Sequence, residues 1–176
     1  MAADWQYYLG AVPDGPEILR VGLRLLTAVF VGGCIGLQRE LTHHSAGFRT
    51  HILVAMGSAL LVIAGSQSGM SSSDLSRIIQ GIVTGIGFLG GGAILKLTSE
   101  REIRGLTTAA GIWMTAADSI AAGLGRIITA LIALIFTLIV LGVLIKFEKR
   151  LGMREIYRDG NRPSAAKGPG GDSNQR

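Results

Sequence analysis

The sequence predicts an all-α, polytopic membrane protein with about five transmembrane helices. Three observations carry this. Charged residues make up only 16% of the chain, where a soluble domain carries about a quarter. The apolar residues, 48% of the total, fall in long blocks parted by short polar stretches. Most of the 26 glycines lie inside those blocks, and glycine weakens a soluble helix but suits helices that pack closely in lipid. Open strands would leave backbone groups unpaired in hydrocarbon, so the blocks read as helices. The fifth block has no polar face, which argues against a soluble bundle.

The elements follow in order. Residues 1–16 form a short external segment whose Trp5, Tyr7 and Tyr8 suit the headgroup level. With Asp4, Pro13 and Asp14, this segment does not read as a cleavable leader. The transmembrane domain covers 17–146. Its spans run from Glu17 to Leu37, Thr50 to Gly65, Arg77 to Leu95, Leu106 to Ala122 and Ile127 to Ile145. Spans of ~17–25 residues match a hydrocarbon core of about 30 Å. Between them lie a polar stretch at 38–49, a serine-rich turn at 66–76, a compact charged loop at 96–104 and a Gly-Leu-Gly turn. Residues 147–176 form a basic cytoplasmic tail, disordered from about 160, where Gly, Pro, Ser and charge take over.

Lysine and arginine set the orientation. With five spans, thirteen of the seventeen basic residues fall on one face, in the 39–49 and 96–104 loops and the tail. The richer face belongs in the cytoplasm, which puts the N-terminus outside and the C-terminus inside. The net charge of +5 therefore reads as a topology signal facing the phospholipid bilayer, with no nucleic-acid partner. A lone cysteine, Cys34, allows no intrachain disulfide.

Gly85-Ile86-Gly87-Phe88-Leu89-Gly90 fits GxGxxG, but it lies within a span, without the strand and helix opening that a dinucleotide site needs. Its glycines suit close packing instead. Gly81 and Gly85 are four apart, as are Gly87 and Gly91, and Gly32 and Gly36 in the first span. Residues so spaced share a helix face, within one chain or between the chains of a homo-oligomer. His43, His44 and His51 lie close in sequence but lack the cysteines or carboxylates of a metal site, so no metal and no cofactor is expected. Thr50 is read as the N-cap of the second span.

Arg24 and Asp118 lie within spans, where charge is costly. Arg24 stands ~10 Å from the external end of its span and Asp118 ~12 Å, so the two share a depth. They are expected to pair, near Gln80 and Thr84.

Four stretches together resemble the MgtC/SapB family of bacterial inner-membrane proteins. They are Gly36-Leu37-Gln38-Arg39-Glu40, Ala46-Gly47-Phe48-Arg49-Thr50-His51, residues 85–94 of the glycine-rich span, and Gly105-Leu106-Thr107-Thr108-Ala109-Ala110-Gly111-Ile112-Trp113. Asp118 departs from the pattern, which expects an apolar residue there. The resemblance implies a multi-pass protein of the bacterial inner membrane, linked to growth under magnesium limitation or acid stress and to intracellular survival. It also implies a membrane-protein partner such as the rotary ATP synthase. In the five-span topology Arg39, Glu40, Arg49, Thr50 and His51 meet Arg104, Thr107 and Thr108 at the cytoplasmic ends of spans one, two and four. That constellation suits partner docking or ligand sensing. It holds no nucleophile–base pair, so no enzyme is expected. A small cation transporter or channel is the alternative.

Overall fold

Two of the helices begin at a residue whose side chain accepts from a free amide of the first turn. The computed structural model describes residues 14–97 and 102–144. Helix α1 spans Gly15–Leu41, and the Asp14 carboxylate accepts from the Glu17 amide at 2.9 Å. Helix α2 spans Phe48–Gln67. Helix α3 spans Ser72–Gly92 and opens on Ser71, whose hydroxyl donates to the Asp74 carboxylate at 2.6 Å. This cap starts α3 five residues before the Arg77 expected from hydropathy, because a polar first turn is invisible to an apolar count. Helix α4 spans Leu106–Gly123 and α5 spans Ile127–Ile139.

The 96–104 segment, expected as a loop, folds as a two-stranded antiparallel hairpin. Strand β1, Leu95–Leu97, pairs with β2, Glu102–Arg104, so that Leu95 faces Arg104 and Lys96 faces Ile103. Gly105 follows at φ 96°, and a Cβ there would run into the Ala93 carbonyl, so glycine is required where the hairpin enters α4. The rest of the regular structure among the described residues is helical, as the sequence predicts.

The chain divides into two units, residues 1–139 and 140–176. In the first, α4 packs against α1, α2, α3 and α5, and α1 lies along α2. In the second, the described residues Val140–Leu144 form a π-helical turn, which replaces the end of the expected fifth span. The N-terminal lead through residue 13, the tip of the hairpin and the basic tail lie outside the described residues.

Side-chain sizes are distributed as in a protein dissolved in lipid. One buried cluster joining α1, α2, α4 and α5 consists of Ala28, Ala55, Ala59, Ala122 and Ala130. Phe30, Leu53, Phe88, Ile128 and Phe136 point outward, Phe88 with 84% of its surface free. A second buried cluster holds Val62, Ile82, Ile86, Ile112 and Ile120, yet many large apolar side chains stay outside, where a water-soluble fold would hide them, and this suits helices packed in hydrocarbon. Helices α1 and α2 are long and apolar enough to cross a bilayer by composition alone.

The glycine pairs divide between two uses. A Cβ at Gly32 would stand 2.7 Å from the Ala55 Cβ and from the His51 carbonyl, and one at Gly36 would stand 2.8 Å from the Phe48 Cα. These two glycines let α1 and α2 cross backbone to backbone. A Cβ at Gly81, Gly85, Gly87 or Gly91 would meet nothing within 4 Å, and these glycines lie on the exposed side of α3, so they make no close crossing with the described residues. Gly123, which carries no four-residue glycine signature, is a tight site: a Cβ there would stand 2.9 Å from the Ala59 carbonyl at the α2–α4 crossing.

Candidate functional site

The end of α1, the start of α2 and the start of α4 meet around two polar side chains. Arg39, in the last turn of α1, and His51, in the first turn of α2, are both fully enclosed, at 0% exposure. Arg39, expected in the constellation at the cytoplasmic span ends, is buried inside the helix junction. Gly111 of α4 lies between the two: a Cβ there would stand 3.6 Å from both Arg39 Nε and His51 Cε1. Thr108, one turn earlier on α4, is buried on the same helix.

Hydrogen bonding orders half of this cluster. The Thr115 hydroxyl lies 2.9 Å from the Gly111 carbonyl, at the usual back-bond of a threonine in a helix. It also lies 2.8 Å from His51 Nδ1. A hydroxyl has a single hydrogen, so it donates either to that carbonyl or to His51 Nδ1, and the imidazole tautomer follows from which. His51 Nε2 is buried and without a hydrogen-bond partner. Arg39 Nε, Nη1 and Nη2 are likewise buried without a partner. A guanidinium so placed is unusual, because an unpaired buried charge costs several kcal/mol.

The other residues expected at this site separate from it. Glu40 is exposed, and its carboxylate accepts from the Phe48 amide at 3.0 Å. It therefore caps α2 from the preceding helix. This corrects the reading of Thr50 as N-cap: Gly47 holds that position without a side chain, and a Cβ there would strike the Glu40 carboxylate. Thr50 falls inside the first turn. Arg49, Thr50 and Thr107 are exposed around the cluster, and Arg104 is described only as backbone in β2.

Arg24 and Asp118 do not pair. Arg24 Nη1 donates to the Gly123 carbonyl at 3.3 Å, placing its charge over the C-terminal end of α4, where the helix dipole favours a cation. Its guanidinium also packs against Gly125, at φ 78° in the turn into α5. Asp118 is buried on α4, and its Oδ2 accepts from Thr137 Oγ1 of α5 at 3.5 Å. Equal depth did not imply equal azimuth. Gln80 and Thr84 are exposed on α3, Thr84 bonding back to the Gln80 carbonyl at 2.9 Å, so neither attends these charges. His43 and His44 lie in the α1–α2 connection, His44 Nδ1 2.8 Å from Thr42 Oγ1.

Gly111 and Thr115 were missed as site residues. The signal was present: Thr108, Gly111, Thr115 and Ser119 recur every three or four residues in an otherwise apolar helix, and all four are buried.

Comparison with known proteins finds bacterial relatives of this sequence. The MgtC family profile matches residues 25–150, which include every residue of the cluster. Protein SrpB of Synechococcus elongatus is 40% identical over 157 residues, 83% of this chain and 86% of its own. The putative magnesium transporter YhiD of Escherichia coli K12 is 40% identical over 137 residues, 73% of this chain and 62% of its own. Protein MgtC of Brucella abortus is 38% identical over 142 residues, 81% of this chain and 58% of its own. The chain thus spans about three fifths of the latter two. No solved structure matches it significantly.

Proposed function

We propose, from the fact that this chain belongs to the MgtC family, that it is a non-enzymatic regulator of the bacterial inner membrane. It acts by binding a membrane partner or sensing a ligand during adaptation to magnesium limitation or acid stress, and in that way supports intracellular survival. The reading includes five crossings, the N-terminus outside and the C-terminus in the cytoplasm. The partner class it favours is a larger membrane complex such as the rotary ATP synthase, or further copies of the chain.

The observation that carries it is the enclosed Arg39–His51 pair, ringed by exposed Arg49, Thr50 and Thr107. A polar cluster sealed in a three-helix junction suits a sensor, which needs two states of one packed element more than it needs a path. The second reading is a cation transporter, the role in the name of the YhiD relative. Buried Asp118 favours it, since intramembrane carboxylates mark ion pathways elsewhere. The uncompensated charge of Arg39 opposes it, because a fixed positive group in a conduit raises a barrier to cations.

Magnesium flux into liposomes separates the two. Reconstituted protein should carry no magnesium above empty vesicles, and a photo-crosslinker at Arg49 or Thr107 should give a discrete adduct in native membranes that increases on magnesium depletion. Saturable flux abolished by Asp118→Asn would replace the regulator with the transporter.

A further inference from the structure

Helix α3 buries the smallest share of its residues among the five described helices. Of its 21 residues only Ile82, Ile86 and Gly90 are buried, against 10 of the 18 in α4. These three stand four apart on one line of the helix, and the last of them has no side chain. A Cβ at Gly90 would stand 3.6 Å from the Ala109 Cβ of α4, so the two helices come close there. The other residues from Gly87 to Gly92, Phe88 and Leu89 included, are exposed. A Cβ at Gly87, Gly91 or Gly92 would meet nothing within 4 Å. No close approach calls for glycine at these three positions, and each weakens the helix relative to alanine. Hydrogen bonding loosens over the same stretch. The Ala93 amide is shared between the Leu89 and Gly90 carbonyls, both at 3.1 Å, and the Ile94 amide turns to the Gly91 carbonyl at 3.2 Å, a 3₁₀ bond.

The two sides of this stretch are held differently. Behind it, Ala93 packs against the apolar cluster of Val62, Ile86 and Ile112, and its carbonyl takes the place of a Cβ on Gly105, which seats the base of the hairpin on the start of α4. Ahead of it, Ile82 and Ile86 touch the same cluster through apolar side chains, and among the described residues no side-chain hydrogen bond joins α3 to another helix. Beside this part of α3 lies a groove of about 220 Å³, with Ile79, Val83 and Ile86 on one wall and Ala116 and Ala117 of α4 on the other. The two alanines leave α3 room to move inward.

We propose that Gly87–Gly92 is a hinge on which α3 tilts toward and away from α4. The hairpin base and α4 stay together, and α3 slides on its apolar side chains. Tilted in, Ile79 and Val83 settle on Ala116 and Ala117 and close the groove; tilted out, the groove opens to hydrocarbon. Lipid tails are as apolar as the side chains they replace, so the exchange of contacts is nearly even and two positions lie close in free energy. Hinges of this kind are a few residues that absorb the backbone change between packed bodies. The proposal deepens the sensing reading above by naming the packed element that has two states, and it rests on that reading.

The full chain in nanodiscs, with Cys34→Ala, tests it. Spin labels on Ser76→Cys, in the second turn of α3, and Leu124→Cys, at the end of α4, read the tilt as a distance. The parent should give two distance populations. Gly87→Ala with Gly91→Ala stiffens the hinge and should leave one, with amide exchange at residues 88–94 slowed about tenfold. Gly81→Ala with Gly85→Ala is the matched control: it lies ahead of the hinge, its methyls also meet nothing within 4 Å, and it should keep both populations. A single narrow distance in the parent, two populations surviving in the hinge pair, or one population in both pairs would overturn the proposal. The distances are read without flux or partner, so their failure leaves the regulator reading to its own test.

Discussion

Gly32→Ala is the sharpest test of how the helices are held. The added methyl carbon would stand 2.7 Å from the Ala55 Cβ, 2.7 Å from the His51 carbonyl oxygen and 3.0 Å from the Ile52 Cα. Two of these three are backbone atoms, so no rotamer change relieves the overlap and α1 must move away from α2. Overpacking of this kind costs about 1–3 kcal/mol. For a chain of this length each kcal/mol corresponds to about 2–4 °C in the unfolding midpoint. The control is Gly85→Ala, where nothing lies within 4 Å and the methyl meets only surrounding lipid or detergent. That variant should lose nothing and gain up to about 1 kcal/mol, because alanine is the better helix former. The assay is thermal unfolding of the detergent-solubilised chain followed by circular dichroism. If Gly85→Ala loses as much as Gly32→Ala, the division of glycines into packed and unpacked sets is wrong.

Thr115→Val removes the hydroxyl that His51 Nδ1 meets while keeping the volume, leaving that buried ring nitrogen without a partner. A loss of about 1–3 kcal/mol in the same assay is expected, and an unchanged midpoint would remove Thr115 from the network. Glu40→Ala uncaps α2 and should cost ~1 kcal/mol, with faster amide exchange at Phe48 as the local signature. Single cysteines in a Cys34-free background should be labelled from opposite sides of the membrane at positions 71 and 160. Labelling from one side would refute the five-span topology.

The helices were legible because apolar runs bounded by polar residues report burial in lipid directly. Their ends were less so. Glu40 caps α2 from eight residues away, across the α1–α2 connection, and no local pattern around Phe48 announces it. The polar cluster was half legible. Arg39, His51 and Thr108 stood in recognisable stretches, but whether a residue near a span end faces headgroups or a helix junction depends on azimuth, and Arg39 turned inward while Arg49 turned outward. The same missing azimuth put Arg24 with Asp118 on depth alone. Glycine spacing identified which faces are smooth without saying which of them find a neighbour in the chain: Gly32 and Gly36 do, and Gly81 and Gly85 do not.

The burial of Arg39 has a consequence for how the protein is made. The α1–α2 hairpin leaves the ribosome first, and at that stage the guanidinium at its turn can remain hydrated among headgroups, where a charge is inexpensive. Gly111 and Thr115, which complete the enclosure, emerge roughly 60 residues later, a lag of several seconds at about 5–20 residues per second. Docking of α4 is therefore the step that strips water from the arginine.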